Sequence, residues 1–267
     1  MKLKNTLAVL VLFFAVAFLA MKKKEVDSKV DSLEGAWRLS EDTRDFAMSL
    51  KGSLSRTHLT KSYKGQELVL LFQDGYCMFT QYSLPDKKFV LTSGGPYTVS
   101  DGKIKIKEEF NSADKIGIGK ASEYEFTLEG DELSVKIEDI EPGFKWKRID
   151  AGNENLAGNW RITQRKQDNQ MVDIPLRARR TLKLLTSTRF QWAAINIETG
   201  EFSGTGGGTY TFKDGKYTEN IEFFSRDSSR VGMSLSFDGK LDNDKWIHSG
   251  KSSKGDPIYE IWERMKK

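Results

Sequence analysis

The stretch LEGAWRL at residues 33–39 decides the fold, because a similar stretch, LAGNWRI, occupies residues 156–162. A second pair of stretches follows in the same order. GGPYTVSDGK at residues 94–103 matches GGTYTFKDGK at residues 207–216. Ordered matches of this kind indicate an internal repeat, in which each half of the chain is one structural unit.

The two halves also close alike, with WKR at residues 146–148 and WER at residues 262–264. The copies lie 123 residues apart at the first match and 113 residues apart at the second. The first half therefore carries an insertion, which falls within residues 46–65. The small, polar stretch at residues 150–155 separates the halves. Because this linker is short, we expect the two units to touch.

Short runs in both halves alternate hydrophobic and polar residues. GKIKIK at residues 102–107 places isoleucines on one face and lysines on the other, and MSLSF at residues 233–237 has the same period. A period of two is typical of β-strands. Glycine accepts the positive φ that tight hairpin turns require, so Asp-Gly pairs predict such turns. These pairs occupy residues 74–75, 101–102, 214–215 and 238–239.

About eight such runs per half predict an all-β protein, at the spacing expected of an up-and-down barrel or a sandwich, and of these we favour two tandem antiparallel up-and-down β-barrels. We place the first barrel at residues 31–150 and the second at residues 155–267. A parallel α/β fold would need long helices between strands, and the best helix candidate covers only residues 45–54. The glycine-rich run at residues 204–208 leads into a strand, so we interpret it as a bulge and not as a phosphate-binding loop.

Residues 1–24 have the pattern of an export signal or an amino-terminal anchor. Two lysines precede an apolar run at residues 6–21, and the Ala-Val-Ala at residues 15–17 fits a signal-peptidase site. The three lysines at residues 22–24 disfavour cleavage, so an uncleaved segment that contacts the membrane stays open. In either case we expect the folded part outside the cytoplasm, in the periplasm or secreted.

Composition excludes several classes of function. The 42 Lys and Arg residues are balanced by 38 Asp and Glu residues, which argues against a nucleic-acid-binding protein. Cys77 is the single cysteine, so no disulfide is expected within the chain, and its apolar surroundings predict a buried, inert thiol. The two histidines, His58 and His248, lie in different halves and lack the spacing of metal ligands. We therefore predict no metal site and no cofactor.

The first and last strands of each half resemble the lipocalin (calycin) pattern, a Gly-x-Trp on the first strand with an Arg on the last. The matching residues are Gly35, Trp37 and Arg148 in the first half, and Gly158, Trp160 and Arg264 in the second. In that family the Trp packs across the base of the barrel and the Arg lies on its ring. The resemblance thus implies that these residues close the barrels.

More narrowly, the second half resembles lipocalin-like domains of uncharacterised secreted bacterial proteins. The resemblance rests on FQW at residues 190–192, GTGGGTY at 204–210, YTE at 217–219 and IWER at 261–264. It covers nearly all of residues 156–267 and, more faintly, residues 33–149. It implies a barrel that can hold a small apolar ligand, and it implies no reaction.

Glu219 is the candidate for polar chemistry inside the second barrel. Alternation along residues 217–223 places Tyr217, Glu219, Ile221 and Phe223 on one face, and three of these four have apolar bodies. A carboxylate on the inner face is costly unless it is paired or protonated. The equivalent position in the first half is Ile106.

We predict a ligand cavity in the second barrel that is lined by Glu219, Tyr217, Tyr210, Trp192 and Phe190. The alternative is structural, with Glu219 paired to an inward arginine or bonded to backbone amides near the barrel mouth. Glu222 is expected on the opposite face, so the two carboxylates cannot share a catalytic site.

The leading hypothesis is an exported, non-enzymatic binding protein of the cell envelope. It would hold a small, largely apolar ligand in one or both barrels, with the second barrel favoured. The alternative is a scaffold or protein-interaction module whose barrels are filled by side chains. An interior space of about 300 Å³ or more near Glu219 would favour the first hypothesis.

Overall fold

A computed structural model describes residues 32–43, 65–137 and 140–265, without the side chains of residues 137 and 140–142. The predicted export segment, the helix candidate at residues 45–54 and nearly all of the predicted insertion lie outside the described residues. Within the described part of the chain, no helix is long and apolar enough to cross a membrane.

The described residues of the first barrel form nine strands, of which eight make a closed antiparallel ring. Strand β1 pairs with both β2 and β9, and the pairing of β3 with β4 completes the ring. The short strand β6 pairs only with the middle of β4. The strands are β1 (Gly35–Leu39), β2 (Glu67–Gln73), β3 (Tyr76–Ser83), β4 (Lys88–Ser100), β5 (Lys103–Lys107), β6 (Phe110–Asn111), β7 (Ala121–Glu129), β8 (Glu132–Ile137) and β9 (Ile140–Asp150).

The second barrel repeats this ring of eight strands, closed by the pairing of β10 with β18. Its extra strand, β11, forms a hairpin with the end of β10. The strands are β10 (Gly158–Gln167), β11 (Gln170–Asp173), β12 (Arg179–Leu185), β13 (Arg189–Asn196), β14 (Glu201–Lys213), β15 (Lys216–Phe224), β16 (Ser234–Asp242), β17 (Lys245–Lys251) and β18 (Pro257–Arg264). The predicted all-β fold of two tandem lipocalin-like barrels is confirmed.

Strand registers show which residues are equivalent in the two barrels. Trp37 lies opposite Leu70 in the first barrel, as Trp160 lies opposite Lys183 in the second. Tyr97 pairs with Ile106, and Tyr210 pairs with Glu219. Positions 70 and 106 of the first barrel therefore correspond to Lys183 and Glu219.

A tryptophan and an arginine lie together at the end of each barrel where the first and last strands meet. The Arg148 guanidinium carbon lies 4.0 Å from the Trp37 ring centre, and that of Arg264 lies 4.4 Å from Trp160. Each indole Nε1 donates a 2.9 Å hydrogen bond to a carbonyl four residues earlier. A Cβ at Gly158 would lie 2.1 Å from Arg264 Nη1, so glycine there leaves room for the arginine.

The two barrels pack side by side through a shared apolar cluster, as the short linker predicted. Buried side chains of β2, β3 and β6 meet Leu182 and Leu184 of β12, Ala193 and Ile195 of β13, and Phe223 of β15. The outer face of β12 is therefore as buried as its inner face. Because both faces of β12 are buried, its sequence does not show which side chains point into the barrel and which point outward.

Buried polar groups within the interface satisfy one another. The Gln191 amide accepts a 2.6 Å hydrogen bond from Thr80 and donates to Thr92 and Thr205 at 2.9 and 3.2 Å. Arg189 donates to the Tyr82 hydroxyl at 2.7 Å and also pairs with Glu222. Polar groups buried without partners would destabilise the interface, so these bonds allow it to exclude water.

Two details of the predicted second barrel are wrong. Phe223 packs outward, with its ring 4.8 Å from that of Tyr82, because a bulge opposite Gly207 and Gly208 reverses the alternation after Ile221. Asp238-Gly239 is not a hairpin turn but lies inside β16, whose turn comes at Asn243 with a φ of 54°. A Cβ at Gly239 would lie 2.9 Å from the Phe212 ring, so close packing accounts for that glycine.

The other predicted Asp-Gly turns are present, with positive φ at both residues of the pairs at 74–75, 101–102 and 214–215. The glycine-rich run lies inside strand β14, and its pairing with β15 shifts register between Gly207 and Gly208, with the extra residue on β15. Cys77 is a buried free thiol, and burial raises its pKa to about 12. A thiol with such a pKa is unreactive at neutral pH.

Candidate functional site

The interior of the second barrel contains a cavity of about 290 Å³. Its walls combine apolar side chains with an unusual number of charged and polar groups. The apolar part consists of Ile162, Phe190, Trp192, Gly207, Ile221, Phe224, Leu235, Phe237, Ile258 and Trp262. The polar part consists of Arg165, Thr181, Lys183, Glu219, His248, Ser252, Ser253 and Glu260.

A buried ion pair between Lys183 and Glu219 lies on this wall. The two side chains are 7% and 8% exposed, and Lys183 Nζ donates to Glu219 Oε1 at 2.5 Å. The Tyr217 hydroxyl donates to the same oxygen at 2.9 Å. The Lys183 ammonium also lies 5.2–5.5 Å from the centres of four aromatic rings, those of Phe190, Tyr217, Trp246 and Trp262. Ring faces attract cations, so they offset part of the desolvation of the ammonium.

Strand β12 positions Lys183 by simple alternation. Thr181 and Lys183 line the cavity and Leu185 packs in the core of the second barrel, whereas Leu182 and Leu184 pack against the first barrel. The lysine is therefore an inward residue whose neighbours on the strand, Leu182 and Leu184, are outward and apolar. Glu219 of β15 reaches it from the far side of β13 and β14.

A second polar pair, His248 and Glu260, lies on the neighbouring strands β17 and β18. The His248 side chain is 3% exposed, and its Nδ1 lies 3.7 Å from Glu260 Oε2, beyond hydrogen-bond distance. Neither ring nitrogen of His248 has a hydrogen-bond partner among the residues that the structure describes. Glu260 Oε2 accepts a hydrogen bond from Trp262 Nε1 at 3.1 Å, and Glu260 Oε1 lies 3.8 Å from Arg165 at the rim.

Burial lowers the pKa of His248, and the nearby Lys183 ammonium acts in the same direction. Glu260 and Glu219 act in the opposite direction but do not reverse the shift. His248 is therefore neutral at pH 7, with one donor and one acceptor nitrogen. Its ring lies 4.2 Å from that of Phe237 and 5.0 Å from that of Trp246, which holds it in place.

This pKa shift predicts how stability depends on pH. The unfolded chain binds a proton at His248 more readily than the folded protein does, so the free energy of unfolding should decrease as the pH falls below about 6.5. Urea unfolding at about pH 7.5 and about pH 5.5 measures the decrease. The variant His248→Val has the valine that the first barrel carries at position 135, and its free energy of unfolding should decrease less. An equal decrease in both proteins would contradict the lowered pKa of His248.

Four polar residues of the second cavity have apolar equivalents in the first barrel. These four residues are Lys183, Glu219, His248 and Glu260. Registers place Leu70 and Ile106 where the second barrel has Lys183 and Glu219, and Val135 and Phe144 where it has His248 and Glu260. The four apolar residues line a cavity of about 220 Å³. The same barrel architecture therefore exists with apolar residues at these four positions and with charged or polar ones, although Glu108 also lines the first cavity.

The structure brings three of the five predicted site residues to the cavity, namely Phe190, Trp192 and Glu219. Tyr217 lies behind Glu219 and supports it by its hydrogen bond. Tyr210 packs against Tyr217 and donates its hydroxyl to the Thr186 carbonyl at 2.5 Å, so it is not a lining residue. The partner of Glu219 is a lysine and not the arginine of the structural alternative.

Sequence reasoning missed Lys183, His248 and Glu260. A comparison of the two halves position by position was the available signal, because each of these residues replaces an apolar residue of the first half. Glu222 lies on the outer face of β15 as predicted, where its carboxylate accepts a hydrogen bond from Tyr82. Within the described ranges, no cluster of His, Cys, Asp and Glu side chains has the geometry of a metal site.

Comparison with known proteins finds one family model that is similar to the second barrel. Residues 155–267 match the family model described as "Domain of unknown function (DUF4488)". A comparison with curated proteins finds no match.

Solved structures of similar proteins include two from Bacteroides and one from Haemophilus parasuis. A lipocalin-like protein from Bacteroides uniformis has 14% identity, with 42% of this chain and 100% of that chain covered and a TM-score of 0.30. An uncharacterised protein from Bacteroides eggerthii has 13% identity, with 41% and 98% covered and a TM-score of 0.30. A mutant of transferrin binding protein B from Haemophilus parasuis has 10% identity, with 76% and 62% covered and a TM-score of 0.23.

Proposed function

We propose that the two lipocalin-like barrels form a non-enzymatic binding protein of the cell envelope. The ligand is a small molecule with an apolar body, and the second barrel is its main site. The observation that carries this proposal is the Lys183–Glu219 pair on the wall of the second cavity, at positions where the first barrel has Leu70 and Ile106.

Folding alone does not account for this pair. Replacing a buried ion pair by apolar residues of similar volume is often neutral or stabilising, because desolvation of the two ions costs about as much as their attraction returns. The first barrel forms the same ring with leucine and isoleucine at these positions. A pair that the fold does not need, facing a cavity, is best explained by contact with a ligand.

The size of the cavity limits the ligand. Ligand sites usually begin at about 300 Å³, and the second cavity, at about 290 Å³, lies at this lower limit. An apolar cavity of about 150 Å³ can hold one benzene ring. The ligand is therefore small, on the order of two rings.

The first barrel offers a second and mostly apolar site, although Ser93, Glu108 and Tyr124 also belong to its lining. Its cavity of about 220 Å³ is lined by Leu70, Phe79, Ile106 and Phe144, among other apolar side chains. We propose that any ligand of the first barrel is more apolar than that of the second. The two barrels then bind different ligands, or different components of one mixture of ligands.

We further propose that the barrels act outside the cytoplasm. The pattern of residues 1–24 supports export, and contact with the membrane would come only through that segment if it is not cleaved. A protein partner belongs to the alternative function, an interaction module. Three exposed apolar side chains lie at or close after the β10–β11 hairpin, namely Met171, Val172 and Leu176. They favour the interaction module as a second role.

Native mass spectrometry of the protein purified from its host tests the binding function. Wild-type protein should carry the additional mass of a small molecule, and the variant Lys183→Leu/Glu219→Ile should lose it. Protein without additional mass, in preparations that retain the fold, would count against the binding function. Additional mass that both proteins retain would move the site away from Lys183 and Glu219.

A further inference from the structure

We infer that the ligand of the second barrel is a neutral aromatic molecule that carries a polar group able to hydrogen-bond to His248, as an amide does. This inference rests on the proposed binding function and specifies its ligand. Three properties of the cavity support it: the balance of its charges, the unused hydrogen-bonding groups of His248, and its aromatic walls.

The charges of the cavity wall balance one another. The Lys183 ammonium faces the Glu219 carboxylate at 2.5 Å, and Arg165 lies 3.8 Å from Glu260. His248 is neutral, so the two pairs leave no net charge. A charged ligand would bring an uncompensated charge into a largely buried site, which is costly. A neutral ligand can bind without separating either pair.

The neutral imidazole of His248 has one donor nitrogen and one acceptor nitrogen, and these point away from each other, so one polar group of a ligand can bond to either of them but not to both. One ring nitrogen carries a hydrogen and the other carries a lone pair. Both are buried, and neither has a hydrogen-bond partner among the described residues. A buried polar group without a partner is destabilising, so a ligand that bonds to one of these nitrogens gains affinity. A hydrocarbon satisfies neither.

The remaining wall favours a flat ring. Phe190, Trp192, Phe224, Phe237 and Trp262 all line the cavity, and the rings of Trp192 and Phe224 meet edge to face with centres 5.5 Å apart. Aromatic rings pack well against one another in stacked and edge-to-face arrangements. A monocyclic amide fits within the volume and places its polar group against His248.

Four molecules of similar size separate the possible chemistries: benzamide, benzoate, benzylamine and ethylbenzene. Titration of the full chain, followed by the indole N–H signals in NMR spectra, reports on each barrel separately. Trp192 and Trp262 line the second cavity, whereas Trp146 lines the first. Benzamide should shift the signals of Trp192 and Trp262. It should also bind about tenfold more tightly than either ion, which is a difference in binding free energy of about 1.4 kcal/mol.

His248→Val should weaken benzamide binding about tenfold, because the hydrogen bond to the imidazole is lost. Val135→Ala at the equivalent position of the first barrel is the matched control and should leave benzamide binding unchanged. Tighter binding of benzoate or benzylamine, or the absence of any shift at Trp192 and Trp262, would overturn the inference. If host-purified protein nevertheless carries a small molecule in native mass spectrometry, the binding function stands and only the ligand class is wrong.

Discussion

Replacing Glu219 by isoleucine should lower the free energy of unfolding by about 3–5 kcal/mol, because the Lys183 ammonium would stay buried without its counter-ion. Lys183 is 7% exposed, and its nearest neighbours apart from Glu219 are aromatic rings. Adding Lys183→Leu to the same chain should recover most of the loss, because the double variant has the residues of the first barrel. Urea unfolding measures both effects.

An exposed ion pair of the same barrel gives the matched control. Lys216 and Asp238 are also 2.5 Å apart, but their side chains are 61% and 70% exposed. Asp238→Asn should therefore change the free energy of unfolding by less than about 1 kcal/mol. Equal losses in Glu219→Ile and Asp238→Asn would show that the Lys183–Glu219 pair is not buried as described. A double variant no more stable than the single one would show that the second barrel needs the pair in order to fold.

Replacing Trp160 by alanine should cost about 3–5 kcal/mol of stability, which is typical of a large aromatic side chain lost from a core. Trp160 is fully buried and meets the ring of Trp246 edge to face, with ring centres 5.9 Å apart. It also supports Arg264, whose guanidinium lies on its ring. The variant would open a cavity where the first and last strands of the second barrel meet.

Trp192→Ala is the control for this prediction. Trp192 is only half-buried, and its ring lines the ligand cavity. Its loss should enlarge the cavity and reduce stability by less than the loss of Trp160. If the two variants lose equal stability in the same denaturation experiment, the Trp160–Arg264 contact does not have the closing role assigned to it.

The repeat made the fold predictable from the sequence. Matching stretches around Trp37 and Trp160 revealed two copies, and alternation with period two revealed strands. Both signals can be recognised in short stretches of sequence. The repeat is a match between such stretches, and alternation follows from the pleat of a strand that has one buried face. The positions of the closing tryptophan and arginine were also predictable, because both residues recur at equivalent positions of the two halves.

The candidate site was predictable only in part, because its signals depend on tertiary structure. Lys183 lies on a strand that is buried on both faces, so alternation alone did not mark it as inward. Phe223 was assigned to the wrong face because a bulge opposite it reverses the alternation. His248 and Glu260 come together only through the pairing of β17 with β18. Register and bulges are set by contacts between distant strands, which one strand's sequence does not encode.

A high-resolution crystal structure of the protein purified from its host, without added ligand, tests the central claim most directly. The account predicts non-protein electron density of one small molecule inside the second barrel, within hydrogen-bond distance of His248 and against the ring of Trp192. It predicts an intact Lys183–Glu219 pair beside that density. A second barrel that contains only ordered water, or one whose side chains fill the interior, would contradict the claim.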